Sequence, residues 1–337
     1  MNRSLKRHAA TTVVRVVIAI GLCAGAAFAQ QYVFQSYGQE DGLANLSVKC
    51  LLQDRAGYLW VGTENGLYRF DGAKFEAFSE ADGLPGTRVE GLAETTDGTL
   101  WVATRRGLSY RQGNRFKSME AQLGGILSRS PLSASPFGRI YASTTNGLHE
   151  GIRAGQGWQF RRLWGGVRNR STSAVAAAPD GSVWFGCERA ICNWNGGEVE
   201  RFGPDRGVDE QRWDGLTVDR EGTVWARSAA RLISKSRQSA EFRSERVRLP
   251  ESVESEGASL GRQGQLFVPT NEGLMERRNG VWRRIGEQQD LPMENVIAAM
   301  EDREGSVWLA LGGGGLARWA GYSEWEAFKQ KDGLPAQ

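Results

Sequence analysis

A chain of 337 residues with 40% apolar and 24% charged side chains is long enough to bury its own core without disulfide staples. The formal charge of +3 belongs to the first 29 residues: without Arg3, Lys6, Arg7 and Arg15, 38 basic residues face 39 acidic ones. The remainder is near neutral, which takes away the electrostatic support for nucleic acid or an anionic membrane as a partner.

Residues 1–29 carry a basic start, an apolar run from Val16 to Phe28 and a small-residue exit at Ala27-Phe28-Ala29, with no acidic residue. This pattern predicts a signal peptide cut between Ala29 and Gln30, and hence a periplasmic or secreted chain. A retained membrane anchor is the alternative, against which the run is short and interrupted by Gly21 and Gly25. Leu22 stands before Cys23, where a lipoprotein signal needs a small residue.

From residue 30 onward one phrase recurs: a turn glycine, one variable residue, a branched apolar residue and an aromatic. Its aromatic is Trp60, Trp101, Tyr141, Trp184, Trp225, Phe267 and Trp308, at spacings of 41, 40, 43, 41, 42 and 41. A second turn and short run follow, as in Thr63-Glu64-Asn65-Gly66-Leu67, Thr104-Arg105-Arg106-Gly107-Leu108, Thr145-Asn146-Gly147-Leu148 and Thr270-Asn271-Glu272-Gly273-Leu274. An aromatic run such as Phe75-Glu76-Ala77-Phe78 or Trp325-Glu326-Ala327-Phe328 comes next, and then a linker carrying Asp-Gly-Leu or its remnant, at Asp41, Asp82, Asp290 and Asp332. Each unit holds four strand-sized segments with period-2 alternation between Gly, Asn and Asp turns, and none has helical periodicity. Residues 30–337 therefore read as an all-β, seven-bladed β-propeller with four antiparallel strands per blade. The rings are expected to wedge neighbouring blades together, and the glycines before them to make the turn from first to second strand. An outer-type strand at Tyr32–Tyr37 precedes the first repeat, one more than seven blades need. Either it closes the seventh blade, or the chain is the front of a longer array whose eighth repeat begins at Asp332.

Three cysteines follow the leader, too few for a disulfide framework. Cys187 and Cys192 are placed to bridge across a hairpin in an oxidising compartment, and two half-buried thiols are the alternative; Cys50 reads as a packed strand residue. No metal spacing accompanies them, and no cofactor motif, phosphate loop or Gly-x-Ser-x-Gly elbow is present.

The run Leu52-Gln53-Asp54-Arg55-Ala56-Gly57-Tyr58-Leu59-Trp60-Val61-Gly62-Thr63-Glu64-Asn65-Gly66-Leu67-Tyr68-Arg69-Phe70-Asp71-Gly72 resembles the two-component regulator propeller repeat of bacterial sensor proteins. The likeness returns at Asp219–Trp225 and Asp302–Trp308, and in weaker form covers residues 32 to 337. Repeat three departs most, with Pro136-Phe137 in place of the acidic turn and Tyr141 in place of tryptophan. The resemblance implies an extracytoplasmic ligand-sensing input module, not itself catalytic, whose partner is a histidine kinase or diguanylate cyclase output.

A secreted protein-binding scaffold and a propeller lyase or glycoside hydrolase are the alternative readings. A lyase would use a histidine base, and His149, the histidine outside the leader, occupies a strand position. The Asp219–Trp225 turn resembles the Asp-box of sialidases, with its acid one place too far from the glycine, and there such an acid is a turn device.

In a four-stranded blade the second-to-third turns and the blade-to-blade links open on one face, and that face is the expected binding surface. The turns supply Glu64, Asn65, Arg105, Arg106, Asn146, Glu188, Arg189 and Asn271, and the links and starts of inner strands supply Asn45, Arg88, Asn169, Arg170, Arg212 and Asn295. Arginine, asparagine and glutamate together suit a polyhydroxylated small molecule or oligosaccharide.

Overall fold

The computed structural model describes residues 32–119, 123–126, 129–165, 172–250 and 257–322. The leader, Asn169, Arg170 and the segments Trp325–Phe328 and Asp332–Pro335 lie outside the described residues. Seven four-stranded antiparallel sheets account for the described strands; within a sheet consecutive strands pair in chain order, except that the first strand of the described chain joins the last sheet. Blade 1 runs Val48–Gln53, Leu59–Thr63, Gly66–Phe70 and Phe75–Phe78, from the channel outward, and the other blades repeat that order.

The seven phrase aromatics are all buried, none above 8% exposure. Each lies in a separate apolar cluster that spans two consecutive blades. Trp60 packs with Val89, Leu100 and Phe116 of blade 2, Trp101 with Ile140 and Trp158 of blade 3, and Trp308 with Val48, Leu59 and Val61 of blade 1. The last of these closes the ring. An indole buried in this way removes on the order of 200 Å² from water, so each wedge contributes a few kcal/mol to blade–blade contact. The turn glycines before the rings, Gly57, Gly98, Gly138, Gly181, Gly222, Gly264 and Gly305, all have φ between 76° and 98°, a conformation that a β-carbon disfavours.

The ring is sealed by the extra strand at the start. Phe34–Tyr37 pairs antiparallel with Gly315–Trp319, so blade 7 takes its outermost strand from the beginning of the described chain. Tyr32 stacks on Trp319 (centroids 4.3 Å apart), and Tyr322 meets the same ring from the other end (4.7 Å). On the face of the first-to-second turns the seam carries a second fastening. The Arg303 amide donates to Gln53 (2.8 Å), and its guanidinium reaches the carbonyls of Asp54 and Arg55 in blade 1. Arg262 and Arg55 make the equivalent reach from blade 6 to blade 7 and from blade 1 to blade 2.

Two sequence phrases acquire a physical meaning here. In the blade-to-blade link, Asp82 accepts from the Ser79 amide (2.8 Å) and caps a single 3-10 turn, Gly83 ends it at φ 99°, and Leu84 drops into the core. A β-carbon on Gly83 would overlap the Phe116 carbonyl of the next blade, so this link is pressed against the outer strand it serves. In the first-to-second turn, Asp54 accepts from the Tyr58 amide (3.0 Å) and from the Trp60 indole N–H (2.7 Å). Asp302 does the same for Ser306 and Trp308, and Asp219 for Thr223 and Trp225. The acid is a turn and ring anchor, as the sequence reading holds.

The blades are not equal. Blade 3 has its third and outermost strands extended to eight residues each, whereas the outermost strand of blade 5 has two. The inner strand of blade 3 also leans into the channel. Ser130 bridges Ala174 of blade 4, Pro131 sits where a β-carbon on Gly91 of blade 2 would be, and the Ser130 hydroxyl lies beside Gly257 of blade 6. Below this pinch a cavity of about 340 Å³ is lined by inner-strand residues of blades 1 to 5, among them Leu51, Leu92, Ser133, Ala177 and Thr217.

Candidate functional site

Because each sheet is a sequential antiparallel meander, second-to-third turns and blade-to-blade links fall on one face. In blades 1, 2, 3 and 6 the turn is pinned by a threonine whose hydroxyl donates to a glycine carbonyl. The bonds are Thr63 to Gly66 (2.8 Å), Thr104 to Gly107 (3.2 Å), Thr144 to Gly147 (3.1 Å) and Thr270 to Gly273 (2.6 Å). The pin presents the two residues between as a fixed knuckle. Blade 4 reaches the same end by covalent means. Cys187 stands in the threonine position, paired with Ala190 in the glycine position, and Cys187 is disulfide-bonded to Cys192 with Cα atoms 5.8 Å apart. Of the two readings of these cysteines, the bonded one is observed. The knuckle that it holds is Glu188-Arg189, both exposed, with Glu188 at φ 58°.

The expected surface residues separate into groups around this face. Glu64, Arg88 and Arg105 come together, joined by two residues that the sequence does not single out, Lys49 and Glu90. The Lys49 ammonium (3.0 Å) and the Arg88 guanidinium (3.0 Å) both bind Glu64, while Arg88 (2.9 Å) and Arg105 (2.7 Å) both bind Glu90. The result is a five-member relay from the inner strand and turn of blade 1 to the inner strand and turn of blade 2. Lys49 holds the Glu64 carboxyl below the ordinary carboxylate range, first by its hydrogen bond and then by its charge, with Arg88 and Arg105 adding to it. Glu90 is buried to 9% exposure, whereas the side chains of Glu64 and Arg105 are 40% and 54% exposed, so Glu90 forms the floor and the two knuckle residues the rim.

The other candidates stand apart from this relay. Arg106 pairs with Glu80 at 3.2 Å, and Arg212 with Asp214 at 2.5 Å. Asn45 turns its carboxamide back onto the Ser47 amide, and Asn295 accepts the Gly312 amide through its carbonyl; Ser47 itself bridges Gly312, so both asparagines serve the junction of blades 7 and 1. Asn65, Asn146 and Asn271 are exposed knuckle residues, the last beside Glu272, which faces Arg284 at 3.7 Å.

One further residue escapes sequence reading. Arg227 is 3% exposed at the end of the second strand of blade 5, where the other blades hold Gly62, Ala103, Ser143, Gly186, Pro269 and Ala310. Burial, and after it the charge of Arg129, lowers its guanidinium pKa to about 10. Repeat alignment alone would have exposed it as the one large residue in a column of small ones.

His149 lies in the third strand of blade 3, 5% exposed, with its ring nitrogen 3.3 Å from the Thr144 hydroxyl. Burial lowers its pKa from the usual histidine value. Among the described residues no group of His, Cys, Asp and Glu has a metal-binding arrangement.

The comparisons with known proteins agree with the architecture. The family model described as two component regulator propeller matches residues 42–65 and 83–106. Histidine kinase P4 of Formosa agariphila is 50% identical over 44 residues, 13% of this chain and 3% of that protein. An extracellular domain assigned to a two component system of B. thetaiotaomicron superposes with a TM-score of 0.68 at 18% identity, over 86% of this chain and 39% of that one. The chain thus spans about two fifths of the length of that sensor domain. A virginiamycin B lyase from Staphylococcus aureus superposes equally well in fold, with a TM-score of 0.67 at 14% identity over 86% of this chain and 99% of the lyase. In two of its seven repeats this chain is thus similar to the two-component regulator propeller family, and the ring that all seven build has the fold of those extracellular domains.

Proposed function

We propose that this chain is an extracytoplasmic ligand-sensing input module that reports to a kinase or cyclase output and is not itself catalytic. The observation that carries the reading is the repeat itself, matched by the family model in blades 1 and 2, with a stretch of 44 residues half identical to histidine kinase P4 beside it. The fold of sensor extracellular domains and the Cys187–Cys192 bridge, which suits an oxidising compartment, support it. The ligand surface is the face of the knuckles, with the Lys49–Arg105 relay at its centre. The lyase reading has the fold in its favour, but His149 is buried in a strand, with its ring nitrogen on the Thr144 hydroxyl and no acid bonded to it among the described residues. Two experiments test the proposal. A phosphatase fusion after residue 337 should be active only if the leader exports the chain. Thermal melting against panels of oligosaccharides and peptides should show at least one stabilising ligand, and an inert panel together with an inactive fusion would refute the proposal.

A further inference from the structure

The relay also discriminates among ligands by charge. We propose that the Lys49–Glu64–Arg88–Glu90–Arg105 relay is an oxyanion subsite, which receives a carboxylate or sulfate carried by the ligand. This rests on the top-face ligand reading above. The argument is one of donors and acceptors. Lys49, Arg88 and Arg105 bring about thirteen N–H donors and three positive charges, against two carboxylates. Four ion-pair contacts tie the two acids to the three cations: Lys49 and Arg88 on one oxygen of Glu64, Arg88 and Arg105 on one oxygen of Glu90. Arg105 donates to Glu90 through its Nε, from a side chain that is 54% exposed, and among the described residues its two terminal nitrogens make no ion pair. The acids hold the arginines in place while leaving the cluster one positive charge in excess. What remains at the surface is a surplus of donors with a net positive charge, which a neutral hydroxyl uses poorly and a planar or tetrahedral oxyanion uses bidentately. The backbone fixes the spacing, since the Arg105 amide donates to the Arg88 carbonyl at 3.2 Å and ties the turn of blade 2 to its own inner strand. Arg220, exposed in the first-to-second turn of blade 5 and so on the opposite face, serves as the internal control.

The test is calorimetric titration of the folded chain with inorganic sulfate, a digalacturonate and a neutral digalactoside, for wild type, Arg105→Gln and Arg220→Gln. Sulfate and digalacturonate should bind in preference to the digalactoside, weaken at least tenfold in Arg105→Gln, weaken further with added salt, and change little in Arg220→Gln. Circular dichroism melting of each variant guards against loss of fold. If neither anionic probe binds the wild type, or if both bind Arg105→Gln as well as wild type, the inference is overturned. Binding of the neutral disaccharide or of a peptide that survives in Arg105→Gln overturns the anion subsite while leaving the sensor reading intact. Only a chain inert to every member of the wider panel removes both.

Discussion

Blades 7 and 3 bury a ring at the same place and satisfy its polar edge in opposite ways. In blade 7 the Trp308 indole N–H reaches Asp302 at 2.7 Å, and the residue across the strand is Arg318, whose guanidinium lies 5.5 Å over the indole. In blade 3 Ser135 replaces the aspartate, Tyr141 the tryptophan, and the residue across the strand is the fully buried Glu150. That carboxylate takes the Tyr141 hydroxyl (3.3 Å), Arg139 (2.6 Å) and Arg161 (2.5 Å). Blade 6 follows blade 3: Phe267 faces Glu276, which holds Arg283 and the hydroxyl of Tyr322. What the fold requires is apolar area wedged between sheets. The partner of the ring's polar edge is settled blade by blade.

Ring truncation puts that distinction to its hardest test. Trp308→Ala and Tyr141→Ala should each cost about 3–5 kcal/mol, as large-to-small core changes do, despite their different polar partners. Urea unfolding that found Tyr141→Ala nearly silent would show that blade 3 depends on its carboxylate network instead of its ring. The knuckles offer a parallel contrast between covalent and hydrogen-bonded pins. Cys187→Ser with Cys192→Ser should cost about 2 kcal/mol, from the short loop that the bridge closes. Cys187→Thr with Ala190→Gly, which copies blades 1 and 6, should recover part of that loss and be indifferent to dithiothreitol in thermal melts.

Blade 3 should also carry a pH signature that blade 7 lacks. The folded pKa of His149 is lowered, so the unfolded chain binds its proton first as acid is added. Its contribution is complete above the unfolded value near 6.5 and is lost as pH falls below it, at up to about 1.4 kcal/mol per pH unit. His149→Gln should flatten that limb of a stability–pH curve, and an unchanged slope would place the acid sensitivity elsewhere. The smallest effect sharpens the comparison from blade 2. There Thr95 occupies the aspartate position, its amide donating to Thr99 as that of Asp54 donates to Tyr58, and the buried Trp101 indole N–H has no partner among the described residues. Thr95→Asp should supply that partner and raise stability by about 1 kcal/mol, read as a higher urea midpoint at unchanged m-value.

Much of this was legible along the chain because it is local. A turn glycine three residues before a ring on the following strand, at a spacing near 41 residues, is enough to announce a sheet that cannot cover its own faces, and seven of them announce a ring. The candidate surface was half legible. Topology places Glu64, Arg88 and Arg105 on one face, but Lys49 and Glu90 look like ordinary strand residues until the folding of each blade brings its inner strand within 3.0 Å of its own knuckle or strand start. Asn45 and Asn295 also lie at the blade 7 to blade 1 junction, Asn45 bonding through its carboxamide and Asn295 through its backbone carbonyl, a placement that the linear pattern does not show.

The amino-acid sequence alone determined the number of blades, the order of strands within each and the positions of the wedges, since these depend on backbone preferences and apolar periodicity over a few residues. Tertiary structure decided which strand seals blade 7, whether Cys187 meets Cys192, and which charges share a relay. The seal and the Glu64–Arg88 contact join groups tens to hundreds of residues apart, and the cysteines, only five apart, meet because the hairpin register brings them together; the strength of an ion pair or a strand pairing is set by distance and burial in space, which no linear spacing encodes.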